Sequence, residues 1–217
     1  MLSVVDVGVL HWLATRPLYQ RIAGHPFVYD YVQPLPVGGI DLSVAYECLG
    51  VTWDSVVLDV GCGTGRALRH LRNFRAYYGF DTDPVALRAA EKRFGGLHGV
   101  RFECRACTPE DFERYRPTHV ALIGLLHHLS DEEAVSLLAM MKRSSAFRRA
   151  VTLDVCYVPG RPIQNLLASL DRGRHCRNEG GYIALAEQAG LTVAWRGHVR
   201  CHPKRGLIHY FAMQLEP

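Results

Sequence analysis

The stretch VVLDVGCGTGRALRHL, residues 56 to 71, decides how the whole chain is read. Val56, Val57 and Leu58 form an apolar run that reads as a buried strand and closes on an acid, Asp59. Three glycines follow at alternate positions, Gly61, Gly63 and Gly65, with Cys62 among them. Behind them Ala67, Leu68, Leu71 and Phe74 recur at the spacing of one helical face. A strand, a glycine turn and a helix make the chain reverse sharply, with backbone bare enough for a ligand to approach it. Asp59 then stands at the carboxyl end of a strand, the edge at which open α/β sheets bind their ligands.

The next strand, AYYGFD, closes on a second acid, Asp81, about 20 residues after the first, where a ribose-binding carboxylate belongs in such a sheet. Its two oxygens are able to accept from both ribose hydroxyls. Asp83 and Pro84 then start a helix as N-cap and first helical residue. VRFECRA is a third strand and THVALIGLL a fourth. Ser130 to Glu133 fits a capping box, and Ala134, Leu137, Leu138 and Met141 form the apolar face of the helix behind it. RRAVTLDVC gives a fifth strand, and YIALAEQAG a helix closed by Gly190. LTVAWRGHV and LIHYFAMQL are the last strands, and the short loop between them predicts a hairpin. Alternating strands and helices of this kind build a parallel sheet with helical crossovers.

The first 50 residues are less regular. A helix is expected around residues 10–23 and another around residues 40–49, separated by the aromatic, proline-containing HPFVYDYVQPLPVGG. Residues 1–50 are therefore read as an N-terminal helical cap or lid and residues 51–217 as the main domain. Tyr19, Phe27, Tyr29 and Tyr31 are its candidate lid rings, with packing of the cap onto the sheet as the alternative.

A chain of 217 residues with 48% hydrophobic and 21% charged residues is an ordinary globular domain, not a disordered one. Its formal net charge of +4 is mild, and no dense basic run suggests an extended polyanion as partner. No apolar segment reaches membrane-spanning length. The apolar N-terminus has no basic first region and carries Asp6 inside it, so it reads as part of the folded protein rather than a signal peptide. The expected location is the cytoplasm. Seven scattered cysteines do not make a disulfide framework. Cys104 and Cys107 match C-x-x-C without a second pair at zinc spacing, so no metal is expected.

The segments VLDVGCGTGR, YGFDTDP and LIGLLHHLSDEEA resemble the class I S-adenosylmethionine-dependent methyltransferases, especially bacterial small-molecule members. The likeness covers about residues 50–217. It implies an α/β, Rossmann-like seven-stranded sheet in the order 3-2-1-4-5-7-6, with strand seven antiparallel and helices on both faces. It further implies that Asp59 and the Gly61, Cys62, Gly63, Gly65 loop hold the methionine portion of S-adenosyl-L-methionine, with S-adenosyl-L-homocysteine as product. Asp81 would hold the ribose, and Thr82 and Asp83 would border the adenosine. Two features depart from the family. The acid that many relatives place after strand three is replaced by Cys104-Arg105-Ala106-Cys107, and the usual RPGG turn before strand five by KRSSAFRRA.

Methyl transfer from a sulfonium is an in-line displacement, so alignment and water exclusion are the main requirements. A hydroxyl or amine acceptor must also lose a proton. His127 and His128, just past strand four, are the candidate bases, with a structural histidine beside the helix cap as the alternative for one of them. Strand four lacks the NPPY or DPPY ending of the resembling nucleic-acid amino-methyltransferases, so a small-molecule acceptor is expected and nucleic acid is not. Arg172, Arg174, His175 and Arg177 read as a solvated turn, or else as contacts to an acidic acceptor. The expected activity is methylation of oxygen or nitrogen on a metabolite. The alternatives are methylation of a thiol or arsenic, and a non-catalytic cofactor-binding protein acting through a partner.

Overall fold

The computed structural model describes residues 41–169, 173–200 and 208–217. The expected helix at residues 10–23 and the four lid rings lie outside the described residues. Helix α1 (Ser43–Leu49) leads into strand β1 (Val56–Val60), and strand β2 (Ala76–Asp81) into helix α2 (Pro84–Phe94). Strand β3 (Val100–Cys104), helix α3 (Pro109–Tyr115), strand β4 (His119–Ile123) and helix α4 (Asp131–Met140) follow. Strand β5 (Arg149–Tyr157), helix α5 (Pro162–Ser169), the two-residue β6 (Arg177–Asn178) and helix α6 (Glu179–Gln188) come next. Strands β7 (Thr192–Arg200) and β8 (His209–Glu216) complete the sheet.

The strand order is β3-β2-β1-β4-β5-β8-β7, with β6 pairing only the end of β5. Apart from β6, this is the order expected. Strands β1 to β5 pair in parallel, and β8 runs antiparallel to both β5 and β7, as the hairpin reading required. All five residues of β1 are buried, as befits a central strand covered on both faces. Leu58, Val60, Val120 and Leu122 pack on one side with Leu137, Leu138 and Leu185 of α4 and α6. Val57, Ala121, Val151 and Leu153 pack on the other with Ala45 and Leu49 of α1.

The capping expectations hold. Asp83 accepts from the Val85 amide at 2.8 Å. Ser130 and Glu133 make the reciprocal capping box, and Ala134, Leu137, Leu138 and Met141 are buried. The helix expected after Gly65 is instead a single 3-10 turn, Arg66–Arg69. Distance explains the difference. The Arg75 and Ala76 amides already bond to the Ser55 carbonyl, so residues 66–75 must traverse the full height of β1. Five strand residues span about 17 Å. Ten helical residues rise only about 15 Å, leaving none to turn with. Strand β4 is also shorter than the run THVALIGLL, because Gly124 turns out of it at φ +69°. Helix α3 was not expected from the sequence, although Thr108, Pro109 and Asp111 carry its capping box.

Candidate functional site

The glycine turn sits at the carboxyl ends of β1 and β2. Gly61, Gly63 and Gly65 all have positive φ, at +74°, +53° and +73°. The Gly61 and Cys62 amides both donate to the Phe80 carbonyl, pinning the turn to β2. Gly65 is packed: a Cβ there would stand 3.0 Å from Phe94 and 3.3 Å from Ala90 of α2. Gly63 is the opposite case, with nothing within 4 Å of such a Cβ, so its backbone faces open space. Asp81 ties the edge together. Its Oδ2 accepts from the Gly63 amide and its Oδ1 from the Asp83 amide, each at 2.8 Å. Each oxygen retains acceptor capacity for a ligand.

Asp59 lies beneath the turn, 3% exposed, and accepts from the Tyr77 hydroxyl at 2.6 Å. Burial pushes its carboxyl up to about 7; the Tyr77 bond opposes that rise and the charge of Asp81 adds to it. Cys62 is buried too, and desolvation holds its thiol neutral, with Asp59 adding to the effect.

A cavity of about 950 Å³ opens in front of this edge. Gly61, Gly63, Asp81, Thr82, Asp83 and His128 all line it, alongside apolar side chains from β2, β4 and α4. Asp59, Cys62, Gly65 and His127 are not on the cavity wall; they stand behind it. The loop after β3 contributes Arg105, Ala106 and Cys107. Arg105 grips both oxygens of Asp111, at 2.6 and 2.7 Å, and stands over the Phe80 ring at 4.9 Å. Asp111 also accepts from the Thr108 amide at 2.8 Å. Burial works to raise the Asp111 carboxyl, but Arg105 and Thr108 prevail and hold it below the usual range. Asp111 is thus committed to an internal pair with Arg105.

The histidine turn is a 3-10 segment, Leu126–His128, between β4 and α4. His128 is exposed on the cavity wall. His127 points back into the protein, where its Nδ1 lies 2.7 Å from Asp154 Oδ1. Its amide donates to the same oxygen at 3.1 Å. The two imidazole rings are 4.1 Å apart. From behind, the His175 amide donates to the His127 carbonyl, and a Cβ on Gly173 would stand 2.1 Å from the His127 ring. Arg177 completes the support. Its guanidinium donates to Asp131 and to the carbonyls of Leu126, Leu129 and His175. With a side chain only 10% exposed, Arg177 is neither a solvated turn residue nor a contact to an acidic acceptor. Arg174 is exposed, and Arg172 lies outside the described residues.

Sequence reasoning did not single out Asp154, the Arg105–Asp111 pair or the clamping role of Arg177. The one available signal was Asp154 itself, an acid inside the apolar run AVTLDVC. Among the described residues no group of three or more His, Cys, Asp or Glu side chains converges to hold a metal ion. Nor is any described helix long and apolar enough to cross a membrane.

Residues 57–146 match the family model described as "Methyltransferase domain". No curated protein matches the sequence significantly. Among solved structures, the chain is similar to the cyclopropane synthase MmaA2 from Mycobacterium tuberculosis, at 12% identity and a TM-score of 0.69. That alignment covers 94% of this chain and 99% of the other. It is also similar to the 1,6-didemethyltoxoflavin-N1-methyltransferase of Burkholderia thailandensis, solved with bound 1,6-didemethyltoxoflavin and S-adenosylhomocysteine. There the identity is 20% and the TM-score 0.60, over 92% of this chain and 88% of that one. A geranyl diphosphate methyltransferase solved with GPP and sinefungin aligns at 12% identity and a TM-score of 0.60, over 83% and 87% of the two chains. The residues present fit an adenosyl cofactor: bare backbone at Gly63 faces the cavity, and Asp81 beside it keeps acceptor capacity for hydroxyls. The segment 57–146 thus resembles a methyltransferase domain, and the sheet has the fold of the solved proteins to which it aligns.

Proposed function

We propose that the protein methylates an oxygen or nitrogen of a small-molecule metabolite in the cytoplasm. The observation that carries this reading is the cavity itself, which joins the glycine turn and Asp81 to His128 across a largely apolar wall. Enclosed, mostly apolar cavities with a few convergent polar groups are the usual form of small-molecule sites. The free thiols of Cys48, Cys62, Cys104, Cys107 and Cys156 suit a reducing compartment.

In this reading Gly61 and Gly63 offer backbone to the methionine portion of the cofactor, and Asp59 and Cys62 brace that loop from behind. Asp81 accepts from the ribose hydroxyls, and Thr82 and Asp83 border the adenosine. The bound cofactor supplies an electrophilic methyl group. His128 takes the proton from the acceptor hydroxyl or amine as the new bond to carbon forms. His127, one ring behind, acts through His128. The apolar wall keeps water from competing for the methyl group.

The reading is tested in two stages. Calorimetric titration with S-adenosylhomocysteine should show saturable binding that Asp81→Ala abolishes. A radiolabelled methyl-transfer screen over hydroxyl and amine metabolites should then give turnover that His128→Gln slows by about a hundredfold or more, without loss of cofactor affinity. Cofactor binding with no turnover on any acceptor would instead favour a non-catalytic binding protein. Turnover confined to thiols or arsenite would favour the other alternative.

A further inference from the structure

Asp154 lies in β5, behind the histidine turn and off the cavity wall. It is 1% exposed, in a strand whose neighbours Leu153 and Val155 are apolar and equally buried. Its Oδ1 accepts from both the amide and Nδ1 of His127, while its Oδ2 is buried without a hydrogen-bond partner. A neutral amide would hold the turn through one oxygen just as well, without placing a carboxylate where desolvation opposes it. What a carboxylate adds is charge. A buried negative charge beside an imidazole fixes which nitrogen carries the hydrogen and favours the protonated ring.

We propose that Asp154 is the positioning residue of the histidine pair: its carboxylate holds the His127 ring in the Nδ1–H form and, through the ring contact, sets how His128 is presented to an incoming proton at the cavity wall. The inference rests on the reading of His128 as the base. Two features of the structure support it. The His127 ring is held by Asp154, by the close approach of Gly173 and by the His128 ring at 4.1 Å. The turn is clamped independently by Arg177, so Asp154 is not needed merely to keep it in place.

Among the described residues, several charged and titratable groups face this centre. On β5 itself Cys156 senses Asp154, and burial raises its thiol to about 12, leaving it neutral at working pH. From α6, Tyr182 senses Asp154 as well, and burial keeps its hydroxyl neutral; that hydroxyl donates to the Val155 carbonyl. From the segment behind the turn come His175 and the Arg177 guanidinium, the latter paired with Asp131. From the turn comes His128. Among the described residues, Asp154 is the anion paired with the His127 ring, at 2.7 Å.

The test is ¹⁵N-histidine NMR on the full chain, with two-bond proton–nitrogen correlations reporting the tautomer and titration of each ring. His127→Gln and His128→Gln assign the signals. Wild type should show His127 in the Nδ1–H form throughout the neutral range. Asp154→Asn, which keeps an acceptor oxygen but no charge, should preserve that form and lower the titration midpoint of the pair by about one pH unit or more. Asp154→Ala should lose the preference for Nδ1–H. In both variants S-adenosylhomocysteine affinity should stay within a few-fold of wild type, since Asp154 is not on the cavity wall. An Nε2–H His127 in wild type overturns the proposal even if neither variant folds. An unchanged midpoint in folded Asp154→Asn overturns it equally. Failure of wild type to bind S-adenosylhomocysteine would strike the functional reading instead, and leave the tautomer result standing.

Discussion

Replacing Asp59 with asparagine should make the protein more stable at alkaline pH than the wild type, by an amount that the buried carboxyl sets. In the folded chain this carboxyl titrates at about 7, against 3.8 ordinarily, because burial disfavours its charged form more than the Tyr77 hydroxyl favours it. An acid that holds its proton more tightly when folded stabilises the fold fully below its unfolded pKa, and that stability is lost as pH rises through the folded value. At about 1.4 kcal/mol per pH unit, the whole window is worth roughly 4 kcal/mol, and the part between about pH 5 and pH 8 roughly 3 kcal/mol. Asparagine keeps an oxygen for the Tyr77 hydroxyl, 2.6 Å from Asp59 Oδ2, but has no proton to lose. Urea unfolding of the cofactor-free chain at several pH values provides the assay. The stability difference, variant minus wild type, should grow by roughly 3 kcal/mol across that range. Parallel curves would refute the reasoning, since they would mean that Asp59 does not change protonation there.

Three further outcomes follow from the same geometry. Asp81→Ala removes the acceptor for the Gly63 and Asp83 amides as well as for ligand hydroxyls, so calorimetry should show S-adenosylhomocysteine affinity falling at least about a hundredfold. Gly65→Ala and Gly63→Ala should separate packing from binding. The first adds a methyl group 3.0 Å from Phe94 to an unfavourable φ of +73° and should cost roughly 2 kcal/mol or more in chemical unfolding. The second meets open space, should cost about 1 kcal/mol of stability, and should weaken the cofactor more than the first. Arg177→Met strips the partners from three carbonyls and from Asp131, and thermal unfolding should show a loss of roughly 2 to 4 kcal/mol. A loss below about 0.5 kcal/mol would mean that the clamp is not formed in solution.

The parts of the fold legible in the sequence are those that depend on near neighbours. Asp83 caps α2 through its own second residue onward, and Ser130 and Glu133 cap α4 within one turn. The apolar run through Val56 to Leu58 reads as a central strand because burial on both faces leaves no polar position. Asp81 could be placed beside the glycine turn because the end of one parallel strand predicts the level of the next. The strand order itself came from a likeness to a family, not from residue spacing.

What tertiary structure alone decided depends on distance across the fold. The helix anticipated after Gly65 shrinks to one turn because ten residues must return to the start of β2, a limit set by the height of β1 rather than by local propensity. His127 and His128 are adjacent and chemically identical in sequence, yet opposite in orientation. One turns toward Asp154, 27 positions away, and the other toward the cavity. Arg105 is drawn into a pair with Asp111, and Arg177 away from solvent by carbonyls about 50 residues earlier in the chain. Side-chain identity gives the chemistry available at each position, and propensity and capping act over a few residues. Which groups meet, and which of them face the cavity, is settled only when the sheet closes and burial forces each polar atom to find a partner.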